Sequence, residues 1–145
     1  MEPLDLLVTR LRSPHARFPG IDLVMLARTV DKMRALLPGG NIAGYQIKGF
    51  SARLFAELSI DENIVQQVIA EAQDEEEFIA WFAAHTDPDA YPAINVLLAS
   101  VTIGQRDRAG LEERYPCVRD MADDDTLFDM LDRDDDITYA SLQAP

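Results

Sequence analysis

One cysteine, Cys117, in 145 residues excludes an intrachain disulfide and predicts a chain suited to a reducing compartment. With only two histidines beside it, His15 and His85, there is no ligand set for a structural zinc ion. No Gly-x-Ser-x-Gly elbow is present, which excludes the hydrolase chemistry built on that turn. Apolar runs stop far short of the ~18 residues that a membrane span needs. The first turns of the chain carry Glu2, Asp5, Arg10, Arg12 and Arg17 and lack the apolar stretch of a signal peptide. A cytoplasmic protein with no membrane partner is the expectation. Internal repeats and alternating strands are lacking as well; Tyr45-Gln46-Ile47-Lys48 is the one short extended candidate.

Apolar residues make up 48% of the chain, enough for a real core. Residues 1–145 read as one helical domain with an acidic segment from about residue 117. The net charge of -13 is unevenly spread. Residues 1–53 hold eight basic side chains against four acidic ones, 54–116 three against thirteen, and 117–145 two against nine. A basic first third in an acidic chain either pairs internally or forms a local anion site, and internal pairing is the commoner outcome. The total charge predicts no nucleic-acid partner, because that backbone selects a cationic surface.

Helical periodicity runs through nearly the whole chain. Leu23, Leu26, Val30, Met33 and Leu37 recur at spacings of three and four, which predicts a central helix over 21–37. Val24, Met25 and Leu36 lie off that stripe, so much of its circumference is apolar. Pro38 and Gly39-Gly40 predict the stop. Ser13-Pro14 should start a short turn that Pro19-Gly20 ends. Ser51 is expected to cap a helix through Leu58, and Asp61 one over 62–73, with Ile60 and Val65 as a hydrophobic staple. Asp74 and Glu77 have capping-box spacing ahead of a helix to His85. A longer helix from near Pro92 should carry Ile94 through Ile103 and break at Gly104; Asp123 or Asp124 should open the last one. The expected fold class is all-α, with about five to seven short helices around the central one.

Arg28, Asp31, Lys32 and Arg34 fall within two turns of that central helix, and Tyr45 follows its stop. Charges on a buried helix must be paired or poised for a ligand. Asp31 stands three residues from both Arg28 and Arg34 and can reach either. One reading is a structural ion-pair network that locks the helix to its neighbours. The other is an anion site that includes Asp31, with Arg12, Arg28 and Lys32 as donors, Arg34 adding a fork and Tyr45 offering a hydroxyl. His15 could serve as acid or base beside it, although an exposed turn histidine is the simpler reading.

Weaker motifs resolve quickly. The glycine-rich 39–44 stretch follows a helix, whereas a phosphate loop lies between a strand and a helix. Asp132, Asp134 and Asp136 have the spacing that opens a calcium loop, but Ile137 and Gln143 occupy its glycine and glutamate positions. Cys117 reads as a small apolar side chain, Trp81 as core, and His85 as a cation at a helix C-terminus. No metal and no cofactor is expected.

Several segments carry a resemblance. They are Arg12-Ser13-Pro14; Leu26-Ala27-Arg28 with Asp31-Lys32-Met33-Arg34-Ala35; Gly40 five residues before Tyr45; Ile60-Asp61; Asp74-Glu75-Glu76 leading to Trp81; and Phe128-Asp129-Met130-Leu131-Asp132. Together they make most of the chain similar to a bacterial family defined as domain of unknown function 5069 (DUF5069). This chain has Ala43-Gly44-Tyr45 where the family pattern has Gly-Glu-Tyr, and it lacks the Cys-Pro that follows near Lys48-Gly49. The resemblance implies one fold unit and no particular activity.

Three functions fit these residues. The first is a non-catalytic module that binds a small anion or a protein partner through the basic first third. The second is an enzyme that uses Arg28, Asp31, Lys32 and Tyr45. The third is a homo-oligomeric interaction protein with an acidic surface. A deep pocket with Lys32 unpaired would favour the second, and a large apolar face beside the acidic helix the third.

Overall fold

Leu23, Leu26, Val30 and Met33 are all 0% exposed, so the apolar stripe read from the sequence does form the centre of the molecule. In the computed structural model, which describes residues 1–144, the helix that carries it is α1, Leu26–Ala35. It is shorter than the expected 21–37. Residues 21–25 are held out of the helix because Asn95 clasps their backbone: its Oδ1 accepts from Val24 N at 2.8 Å, and its Nδ2 donates to the Asp22 carbonyl at 2.8 Å. Met25 then enters α1 at φ 71°, a left-handed conformation that strains a side chain with a Cβ. At the other end Leu36 is 53% exposed, and Gly39 takes φ 89° in the turn that follows.

Six further helices follow: α2 (Phe50–Leu58), α3 (Glu62–Glu71), α4 (Glu75–His85), α5 (Tyr91–Ala99), α6 (Arg108–Arg114) and α7 (Leu127–Gln143). Short 3-10 turns occupy Pro88–Ala90, Ile103–Gln105 and Pro116–Asp120. Among the described residues there is no strand, only isolated bridges such as Asp5 with Asn41; residues 45–48 are not one of them. The fold is all-α.

The acidic caps act as their spacing predicts. Asp61 accepts from Asn63 N at 2.8 Å, and Asp74 accepts from Glu77 N at 2.9 Å. Glu77 returns its bond to Gln73 N at 2.6 Å, one residue outside the usual box. Three expectations are corrected. Ser51 is no cap: it lies inside α2, fully buried, with its hydroxyl 2.8 Å from that of Thr29. The helix from Pro92 ends at Ala99, leaving Val101 and Ile103 outside it. The last helix is opened by Thr126, whose Oγ1 accepts from Asp129 N at 3.1 Å, and not by Asp123 or Asp124.

α1 packs against α2 and α3, and α2 against α5. Phe78, Phe82 and Phe128 join this main apolar cluster. A second cluster gathers Ile103, Leu111, Cys117, Val118, Leu127 and Met130 around α6 and α7, and Phe50 touches both. No helix is long and apolar enough to cross a membrane among the described residues.

Candidate functional site

The basic first third is mostly paired within the chain, and two of its arginines pair with the acidic α7. Arg10 pairs with Asp136, Arg28 with Asp135, and His15 Nε2 lies 3.1 Å from Asp129. Arg17 meets Asp22, and Arg53 meets Glu57. Part of the charge asymmetry is therefore a clasp between the basic first third and the last helix.

The candidate residues divide into three places. Arg12 and Asp31 form one. Asp31, 4% exposed, accepts from Arg12 N at 2.9 Å, Nη2 at 2.8 Å and Nε at 3.1 Å. The remaining Arg12 nitrogen, Nη1, donates to Glu75 at 2.7 Å, and the guanidinium carbon sits 4.8 Å from the Phe18 ring centroid. Burial alone would lower the Arg12 pKa; the bonds to Asp31 and Glu75 outweigh it and hold the pKa above its ordinary value. All three guanidinium nitrogens and both Asp31 oxygens are engaged, so this pair ties the 10–13 segment to α1 and α4. Asp31→Asn is expected to lower stability by about 1–3 kcal/mol, because a charge-assisted network loses its central anion. Urea midpoints check it; an unchanged midpoint would mean that Glu75 alone holds Arg12. Arg34 stands elsewhere, partly exposed, donating from Nε to the Glu2 carbonyl at 2.9 Å.

Arg28, Lys32 and Tyr45 form the third place. Arg28 and Asp135 are both 2% exposed and make a forked ion pair, with Nη2 to Oδ1 at 3.3 Å. Arg28 Nη1 also donates to the Arg12 carbonyl at 3.2 Å, while its buried Nε has no hydrogen-bond partner among the described residues. The Tyr45 hydroxyl donates to the same Asp135 at 3.1 Å. Burial, followed by the charge of Asp135, lifts the Tyr45 pKa above its ordinary value, so the phenol stays protonated.

Lys32 differs from the other buried charges. It is 7% exposed, and its Nζ donates to the Gln46 carbonyl at 2.9 Å. No carboxylate pairs with it among the described residues. Burial and the nearby Arg28 charge pull its pKa down to about 8, with Asp135 opposing. The ammonium lies 5.9 Å from the Tyr45 ring centroid.

Arg28, Lys32 and Tyr45 share one wall of a cleft of about 670 Å³. The segment 43–50, the stretch from Arg106 through α6 to Tyr115 and the inner face of α7 form the rest. Three more cations reach it, Lys48, Arg106 and Arg114, against two carboxylates, Asp107 and Asp134. Of the five cations only Arg28 is ion-paired among the described residues. Asp134 is half-buried, and desolvation together with the charge of Asp135 raises its carboxyl pKa. Met25, Phe50, Leu111, Leu127, Met130 and Leu131 give the cleft apolar walls drawn from both core clusters. Met25, Ala43, Gly44 and Gly49, all at positive φ, line it as well. Of these, Met25 and Ala43 carry a Cβ and are strained, and strain of this kind gathers at binding sites, where the surrounding fold holds it in place.

Lys48, Arg106 and Arg114 were not singled out by sequence reasoning, since only the tertiary fold brings residues 32, 48, 106 and 114 together. One signal was available in the composition. The chain has two lysines against eleven arginines, and both lysines line this cleft.

Two other motifs have no site geometry. Asp132, Asp134 and Asp136 lie on the continuous helix α7, where successive residues turn by about 100°, and so form no calcium loop. His15, Asp129 and Asp132 bring ligand atoms within 4.8 Å of one another, with His15 and Asp129 exposed. The His15 ring packs edge-on against Phe128 at 5.2 Å, which accounts for its position at the surface beside Asp129.

The fold and the cleft define a small helical protein with a cationic, apolar-walled cavity. Over residues 8–137 the chain matches the family described as domain of unknown function (DUF5069), and it belongs to that family. No curated protein matches it.

Proposed function

We propose that this protein binds a small organic anion in the cleft between α1, α6 and α7. The observation that carries this reading is Lys32, a buried ammonium at the cleft wall with a single backbone acceptor and no carboxylate partner among the described residues. A charge buried without a counter-ion is destabilising, and a ligand carboxylate or phosphate would supply that counter-ion. Lys48, Arg106 and Arg114 line the same cleft without an ion-pair partner among the described residues, in a protein of net charge -13. The apolar walls suit the hydrocarbon body of the ligand, and the volume of about 670 Å³ falls within the range of small-molecule sites. Arg12, Asp31 and Arg34 are outside this reading.

A ligand that binds only the folded chain raises its melting temperature saturably, equivalent to about 2.7 kcal/mol at a hundredfold excess over Kd. Benzoate and phenyl phosphate are therefore expected to give saturating shifts that sodium chloride does not. Lys48 and Arg106 are exposed, so the double variant Lys48→Glu/Arg106→Glu should fold and lose the shift. A linear response, equal in the two proteins, would overturn the reading.

A further inference from the structure

From the placement of Lys32 we infer that the ligand is an anionic carbonyl compound, an aldehyde or 2-oxo acid, captured as an imine on Lys32 Nζ. The inference rests on the anion-binding reading above and adds a reaction to it.

Arginine is this chain's default cation, eleven to two, and an arginine fork recognises a carboxylate better than an ammonium does. Arginine is also always charged, so a site that needed positive charge alone would be served by it. What lysine supplies in its place is a nitrogen whose lone pair becomes free on loss of a proton. At Lys32 the surroundings favour that loss. The amine is desolvated, and Arg28 stands on the same face of α1, one turn earlier. The groups acting on it are Arg28, which disfavours the ammonium, Asp135, which favours it, and the neutral Tyr45 ring. Its pKa of about 8 leaves roughly a tenth of the amine unprotonated at neutral pH, against less than a thousandth for an ordinary lysine. Lys48, Arg106 and Arg114 remain to hold the carboxylate while the carbonyl meets Nζ.

The step balances without a redox partner. The Nζ lone pair adds to the carbonyl carbon, and the C=O π electrons move to oxygen. A proton passes from nitrogen to that oxygen, giving a carbinolamine. The hydroxyl then takes a second proton and departs as water, and the remaining nitrogen lone pair closes the C=N bond. Solvent at the open side of the cleft supplies that second proton.

The test uses glyoxylate, the smallest anionic aldehyde, with cyanoborohydride at neutral pH, followed by peptide mass mapping. Reduction of the imine leaves an adduct with the mass of the free acid less one oxygen. Lys32 is expected to be labelled about tenfold faster than Lys48, to be protected by benzoate, and to give a rate that rises toward a pH of about 8 and falls beyond it, where dehydration and reduction lack the proton they need. Lys32→Arg should retain the benzoate melting shift while losing the adduct. Labelling of Lys32 no faster than Lys48 would overturn the imine step, as would labelling that benzoate does not block. If benzoate shifts the melt while Lys32 stays unlabelled, only the imine step fails. If benzoate gives no shift either, the anion site fails with it.

Discussion

Asp135→Asn should cost this fold about 3–5 kcal/mol, a large part of the roughly 5–15 kcal/mol that holds a domain of this size folded. Asp135 and Arg28 are both 2% exposed, and Asp135 also accepts from the Tyr45 hydroxyl. Removing the carboxylate charge leaves the Arg28 guanidinium buried without compensation, a state far less favourable than the original pair. The cost is in the orphaned cation and not in a large net worth of the pair. Arg28→Met/Asp135→Leu should therefore recover most of the loss, because it removes both desolvated charges together. Urea midpoints for the single and double variants measure this directly. A double variant as weak as Asp135→Asn would show that the pair itself, and not the uncompensated charge, supports the fold.

The same contrast between local and distant partners explains what the sequence could reveal. The stripe Leu23, Leu26, Val30 and Met33 was legible because a period of three to four is a local property, and all four side chains are fully buried. Asp61 and Asp74 were legible because a cap reaches backbone only two or three residues ahead. The false extension of α1 back to Ile21 came from apolar spacing that continues past the helix. Asn95, more than seventy residues away, decides that backbone's conformation. α6 was missed because it is seven residues long and buries only Leu111. The charged cluster was visible, but its pairing was not. Spacing pointed Asp31 to Arg28 or Arg34 on its own helix, while its partner is Arg12 in the preceding segment. Arg28 likewise reaches across 107 positions to Asp135. Spacing along a helix identifies partners on that helix; it carries no information about those that tertiary packing brings to it.

Lys32→Met should stabilise the protein, the opposite of the outcome expected at Asp31 and Asp135. The Lys32 pKa falls from an ordinary 10.5 to about 8 on folding. Between those two values the unfolded chain holds a proton that the folded chain has released, so stability rises with pH across that window. The full rise corresponds to about 3 kcal/mol. Below a pH of about 8 both states are protonated, and the folded state bears the whole penalty of a buried ammonium. Methionine fills similar volume without charge. Allowing for the lost bond to the Gln46 carbonyl, worth about 1 kcal/mol, the variant should gain about 1–3 kcal/mol at neutral pH. It should gain little or nothing above a pH of about 10, where the wild-type lysine is already neutral. Urea midpoints of both proteins at neutral and alkaline pH give the difference, and other titrating groups cancel in it. The stabilised variant should also lose the benzoate and phenyl phosphate shifts, since sites kept for ligands retain charges that the empty fold does not favour. A loss of stability at neutral pH would make Lys32 a structural donor to residue 46 and remove the main support for a ligand site in this cleft.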